Sequence, residues 1–149
     1  MLFQGLATAL ITPFRKDGSV DFDAYERLLN YQLENGVDAL LVLGTTGEPP
    51  TLSDDEKEEI IRFAVKVIGG RVPVLVGAGS NSTYNMVQAC RRGAKYGADA
   101  LLVVTPYYNK CTQDGLIEHY RAACEATDLP VIAYNVPGRT GVNIKPETA

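Results

Sequence analysis

The chain has 149 residues, 46% of them hydrophobic and 21% charged, and 14 Lys and Arg against 18 Asp and Glu leave a formal net charge of −4. That size fits one ordinary soluble domain or part of a larger one, and the mildly acidic, mixed charge excludes a basic groove for nucleic acid and a polybasic membrane patch. No apolar run reaches the roughly 18 residues of a membrane span, and Met1 to Gly5 lacks the charged start and long apolar stretch of a signal peptide, so a cytoplasmic location is expected.

Five short apolar runs punctuate the chain: Leu6 to Ile11, Ala39 to Leu43, Val72 to Val76, Ala100 to Val104 and Val131 to Tyr134. None alternates with polar residues, which predicts strands buried on both faces of a parallel sheet. Between the first two, Tyr25, Leu28, Leu29 and Leu33 fall on one helical face that stops at Asn35-Gly36. The next helix opens with Ser53-Asp54-Asp55-Glu56, a capping box with acidic residues suited to the helix dipole, and turns Ile60, Ile61, Ala64 and Ile68 inward before Gly69-Gly70. A third runs from about Thr83 to Tyr96 with Met86, Val87, Cys90 and Ala94 at helical intervals. A fourth repeats the plan with Leu116, Ile117, Tyr120, Ala123 and Cys124. Cys90 and Cys124 are thereby expected as small core residues. The three cysteines, Cys90, Cys111 and Cys124, have no Cys-x-x-Cys spacing and the only histidine is His119, so neither a disulfide framework nor a metal site is expected.

The near copies Gly36-Val37-Asp38-Ala39-Leu40 and Gly97-Ala98-Asp99-Ala100-Leu101 each join a helix end to a new strand. Strands that start roughly 30 residues apart mark repeated βα units of an α/β fold, and five units fit with no room for a sixth. Lys145-Pro146-Glu147 places Pro at the first position of a further helix, which the chain would cut after one turn. Residues 1–149 are therefore expected to be the N-terminal part of a single domain, truncated before a sixth strand.

Function in parallel α/β folds collects beyond the carboxyl ends of the strands. After the second strand stands Gly44-Thr45-Thr46-Gly47-Glu48, whose amides and hydroxyls suit a carboxylate or phosphate, or equally a tight turn with self-capping threonines. The fourth ends in Thr105-Pro106-Tyr107-Tyr108-Asn109, where the phenols either relay protons or anchor packing. The fifth ends in Tyr134-Asn135-Val136-Pro137-Gly138-Arg139-Thr140-Gly141, in which the Arg fork either meets a carboxylate or stands solvated in a loop.

In this order and spacing the three segments resemble the dihydrodipicolinate synthase family, with similarity running from Gly5 and Thr12-Pro13 to Pro146-Glu147-Thr148. The resemblance implies a (β/α)8 TIM barrel, of which this chain supplies about the first five βα units. It implies a cytoplasmic homotetramer, a dimer of dimers, that condenses pyruvate with aspartate 4-semialdehyde in lysine biosynthesis through a lysine Schiff base, without metal or cofactor. By motif, Thr45, Tyr134 and Tyr108 form a proton relay, Tyr108 arriving from a neighbouring subunit. Thr45 and Thr46 hold the pyruvate carboxylate, Arg139 receives the carboxylate of the semialdehyde, and Tyr107 serves an interface. The Schiff-base lysine belongs to the sixth strand and has no counterpart among Lys16, Lys57, Lys66, Lys95, Lys110 and Lys145, all read as lying on loops or polar helix faces.

Asn81 and Tyr107 are compatible with an effector pocket, yet Asn85 stands where lysine-regulated members carry Glu, and Asp54 and Lys57 stand where they carry histidines or other partners. This argues against feedback by lysine. Sister pyruvate-dependent aldolases such as N-acetylneuraminate lyase share the Schiff base, and Arg139 separates the readings because a polyhydroxylated sugar acid calls for neutral partners. In a different class stands a non-catalytic part-barrel whose bare strand edges associate with another copy or with a complementary chain.

Overall fold

Each parallel strand must be carried back across the sheet before the next can pair, and the amphipathic segments between the apolar runs do this. The computed structural model describes residues 4–149. Its strands are β1 (Ala7–Ala9), β2 (Ala39–Val42), β3 (Val74–Gly77), β4 (Ala100–Val104) and β5 (Val131–Tyr134). They form one parallel sheet in the order β1-β2-β3-β4-β5. Helices α1 (Phe22–Glu34), α2 (Asp54–Ile68), α3 (Thr83–Lys95) and α4 (Gln113–Glu125) fill the crossovers, and the short α5 (Pro137–Thr140) follows β5. None of the described helices is long and apolar enough to cross a membrane.

Side chains capping free amides start all four long helices: Asp21 accepts from Ala24, Ser82 from Asn85 and Thr112 from Gly115, while Ser53 and Glu56 close a reciprocal capping box. The helices bury one face against the sheet, where Leu40, Val42, Val74, Val76, Leu101 and Val103 meet Leu29, Ile60, Ile61, Met86 and Cys90. The opposite face carries a second layer of Ala39, Leu75 and Ala100, with Leu41 and Ile132 against it.

Strand register assigns the rows of that second face. Leu41 pairs with Leu75 and Leu75 with Ala100; Gly77 pairs with Leu102 and Leu102 with Ile132; Val104 pairs with Tyr134. Because side chains alternate faces, Gly77, Leu102, Val104 and Tyr134 all lie on the face away from the helices, toward the carboxyl ends of the strands.

Several sequence expectations need correction. The third strand begins at Val74 rather than Val72, since Pro73 has no N–H and enters the sheet only through its carbonyl, which accepts from Leu40 N at 3.1 Å. Burial on both faces holds for β2, β3 and β4 but not for β1 or β5, which each pair on one side among the described residues. Cys124 is exposed, not a core residue, and Ile117 is exposed with it. The inward face of α4 is Leu116, His119 and Ala123, the i, i+3, i+7 stripe, and both mispredicted residues lie one step off it. Lys145 to Ala149 makes a single hydrogen-bonded turn, with Thr148 N and Ala149 N donating to the Lys145 carbonyl.

At the carboxyl edge of the sheet, β2 and β3 approach each other with no room to spare. Leu43, buried in the core, takes φ 56°, a left-handed conformation that costs a bulky residue on the order of 1 kcal/mol. This folds its carbonyl oxygen to 2.0 Å from where a Cβ on Gly77 would stand. A Cβ on Gly79 would meet Val104 N at 2.6 Å. Since backbone rather than a flexible side chain occupies the space, Gly77→Ala should destabilise the fold by ~3 kcal/mol, read as a lower urea midpoint at unchanged slope.

His119 was assigned no place in the core by sequence, yet it is buried, shares a 2.9 Å hydrogen bond through Nδ1 with Thr83 Oγ1, and leaves Nε2 without a protein partner. Burial pushes its pKa below the ordinary imidazole value. The unfolded chain therefore binds the proton first on acidification. The contribution is complete above the unfolded pKa and drains away as pH falls below about 6.5. Denaturation at a series of pH values should show wild-type stability falling more steeply across this window than that of His119→Gln.

Candidate active site

The turn after β2 is built on short-range bonds. Gly47 N donates to Gly44 O at 2.8 Å and Glu48 N to Thr45 O at 3.2 Å, forming a 3-10 turn over Thr45–Gly47. Thr12 Oγ1 donates to the Gly47 carbonyl at 2.7 Å and ties the turn to the segment after β1. The tight-turn reading therefore holds for the amides of Gly47 and Glu48, which are spent internally. The side chains of Thr45 and Thr46 stay exposed, and a second 3-10 turn, Pro49–Thr51, carries the chain on to α2.

These turns and the second sheet face enclose a cavity of about 250 Å³ at the strand ends. Thr45, Tyr107, Tyr134 and Arg139 all line it, so tips of β2, β4 and β5 do share one mouth. Tyr134 reaches it along its strand row, and Arg139 from α5, where Arg139 N donates to Val136 O at 2.9 Å. Thr46 and Tyr108 do not line it. Tyr108 is 91% exposed with φ 71°, a strained conformation that holds a large phenol in the open. Asn81 is also absent from the lining; its carbonyl accepts from Asn109 Nδ2 at 3.3 Å, which anchors the loop after the tyrosine pair.

Sequence reasoning passed over Gly77 and Gly79, whose missing side chains open the floor of the cavity, and over the apolar floor residues Leu102 and Val104. The Gly-Ala-Gly directly after an apolar run was the available signal. Pro49 and Pro50, which follow the Gly44 to Glu48 motif directly, form another wall. None of the six lysines lines this cavity. Lys57 lies on α2 but is largely covered rather than on an open polar face: its side chain is 23% exposed and pairs with Asp54 at 3.2 Å.

A second cavity, of about 520 Å³, backs onto the first and shares Pro49, Pro50, Gly77, Gly79 and Tyr107 with it. Asp54, Lys57, Asn85 and Arg92 line it.

Residues 2–149 match the dihydrodipicolinate synthetase family. The 4-hydroxy-tetrahydrodipicolinate synthases of Thermotoga neapolitana and Alkaliphilus oremlandii are 55% identical over 148 residues and 56% identical over 147. Each alignment covers 99% of this chain, which spans about half the length of these curated relatives. Among solved structures, the dihydrodipicolinate synthase of Thermotoga maritima superposes with a TM-score of 0.96 at 53% identity, covering 99% of this chain and 50% of that one. A monomeric dihydrodipicolinate synthase variant superposes with the same TM-score at 54% identity, over 99% of this chain and 49% of that one. With five parallel βα units that follow half of such a barrel, and a sequence match from residue 2 to residue 149, the chain belongs to the dihydrodipicolinate synthetase family.

Proposed function

We propose that residues 1–149 are the first part of a (β/α)8 barrel domain that condenses pyruvate with aspartate 4-semialdehyde, the activity of a 4-hydroxy-tetrahydrodipicolinate synthase in lysine biosynthesis. The observation that carries this reading is the single cavity lined by Thr45, Tyr134 and Arg139 at the carboxyl ends of the strands. In this reading a lysine on a sixth strand attacks the pyruvate ketone, water leaves, and the imine loses a methyl proton to become the enamine that adds to the aldehyde. Closing the ring then displaces the lysine amine.

Each of these steps moves a proton, and a phenol of ordinary pKa near 10 does so slowly alone. Thr45 and Tyr134 relay protons with Tyr108, which enters from a neighbouring subunit. The 91% exposure and strained backbone of Tyr108 support that role, since such a side chain is presented outward at a conformational cost. Thr45 and the adjacent Thr46 hold the pyruvate carboxylate. Arg139, exposed at the mouth, receives the carboxylate of the semialdehyde and favours it over a polyhydroxylated sugar acid. The working assembly is a cytoplasmic dimer of dimers with Tyr107 at an interface.

Borohydride reduction in the presence of pyruvate should leave residues 1–149 at 16.1 kDa by intact mass, while a protein of the relatives' full length gains a reduced adduct. An adduct on residues 1–149 would overturn the assignment of the nucleophile. In the full-length protein, Tyr134→Phe should lower kcat by about 100-fold with adduct formation slowed, as expected for loss of a proton-transfer group. Arg139→Gln should instead raise KM for the semialdehyde and leave pyruvate trapping intact.

A further inference from the structure

The turn that carries Thr45 and Thr46 cannot satisfy its own backbone. Its amides close inward, Gly47 N onto Gly44 O at 2.8 Å and Glu48 N onto Thr45 O at 3.2 Å. If that 3-10 pattern continued, the Gly47 carbonyl would take the N–H of residue 50, but residue 50 is a proline and has none. The next amide, Thr51 N, donates to Glu48 O at 2.9 Å, and Thr51 Oγ1 donates to the same oxygen. Gly47 is buried, where an unpaired carbonyl is destabilising. Its oxygen therefore needs a donor from elsewhere in the fold.

Thr12 is that donor. Its hydroxyl reaches Gly47 O at 2.7 Å from 35 residues away, and the residue is only 6% exposed. The chain leaving β1 delivers it: Leu10 N donates to Leu41 O at 3.0 Å just beyond the strand, and Pro13 restricts the backbone of Thr12 from the other side. Gly47 sits so closely on this segment that a Cβ there would stand 3.2 Å from Leu10 O and 3.4 Å from Thr12 Oγ1. Branching at Cβ also confines the Thr12 hydroxyl to few rotamers. Thr12 does not line the first cavity, whereas Thr45, two residues before Gly47, does. We infer that Thr12 is a positioning residue for the reaction: acting through the Gly47 carbonyl, it places Thr45 and Thr46 and thereby sets the affinity for the pyruvate carboxylate. The inference rests on the function proposed above, in which those two threonines hold that carboxylate.

Thr12→Val keeps the shape and removes the donor, while Thr12→Ser keeps the donor. In a protein of the relatives' full length, Thr12→Val should raise KM for pyruvate about tenfold and leave kcat and KM for the semialdehyde within about twofold of wild type, and Thr12→Ser should bring the pyruvate KM back to within about threefold. Loss of folded protein lowers the amount of active enzyme and leaves KM alone, so the split separates positioning from general damage. Hydrogen exchange reads the same contact without the reaction: amides of residues 44–48 should exchange faster in Thr12→Val than in wild type or Thr12→Ser. The inference alone is overturned if Thr12→Val leaves the pyruvate KM or the exchange unchanged, if it lowers only kcat, or if Thr12→Ser is as impaired as Thr12→Val. A wild-type protein that forms no reducible pyruvate adduct overturns the proposed reaction and this inference together.

Discussion

The carbonyl of Leu43 lies where any side chain on residue 77 would have to be, and the shape of the strand ends follows from that contact. Leu43 leaves the β region at φ 56°, which stops β2 and turns the chain across the end of β3 instead of beyond it. Thr45 is thereby delivered over the second face of the sheet. The missing side chain at Gly77 makes this turn possible and also leaves the floor of the cavity open. Gly79 repeats the device one strand over, where Val104 fills the space its Cβ would need. Space for a ligand and proximity of the strand tips therefore arise from the same absent atoms.

Two kinds of constraint place the functional side chains. Tyr134 is fixed by parity, since it pairs with Val104, and Val104 follows Ala100 and Leu102 by alternation along β4 on the face away from the helices. A slip of one residue in β5 would send the phenol into the helix layer. Thr45 and Arg139 lie beyond the ladder, and side-chain bonds to backbone hold their loops. Thr12 Oγ1 secures the turn at Gly47; Thr140 Oγ1, buried, donates toward the carbonyls of Val136 and Val142 and accepts from Val142 N. A site gathered from three separated segments needs such anchors, because loop freedom of even an ångström would scatter it.

The strands and long helices were legible in the sequence because each rests on local signals: apolar runs, the Ser53 to Glu56 box, and the Asn35-Gly36 and Gly69-Gly70 ends, whereas the single-residue caps Asp21, Ser82 and Thr112 were passed over. Thr45, Tyr134 and Arg139 were legible too, through motifs at strand ends. The inward stripe of α4 was misread because Leu, Ile, Tyr, Ala and Cys spread around the helix, and only tertiary contact decides that His119 goes in while Cys124 stays out. Leu43's left-handed turn was illegible for a related reason. Nothing in Leu-Leu-Val-Leu announces that the last residue reverses φ, and its cause lies 34 residues away at Gly77. The ion triad of Asp54, Lys57 and Arg92 was hidden for the same reason, since Asp54 and Lys57 read locally as the polar start of a helix until Arg92 arrives from α3.

The wall between the two cavities has an unusual composition: Pro49, Pro50, Gly77, Gly79 and Tyr107. The prolines have φ locked by their rings, and Gly77 and Gly79 are wedged against backbone, so four of the five positions have almost no local freedom. Tyr107 alone carries rotatable side-chain torsions. The cavities therefore differ in charge, the first with Arg139 at its rim and the second with Asp54, Lys57 and Arg92, while sharing a partition that is rigid except at one phenol. Any physical communication across that partition has to pass through the rotamer of Tyr107 or through a shift of the strand ends themselves, and the close packing of Leu43 on Gly77 makes the second route the costlier one.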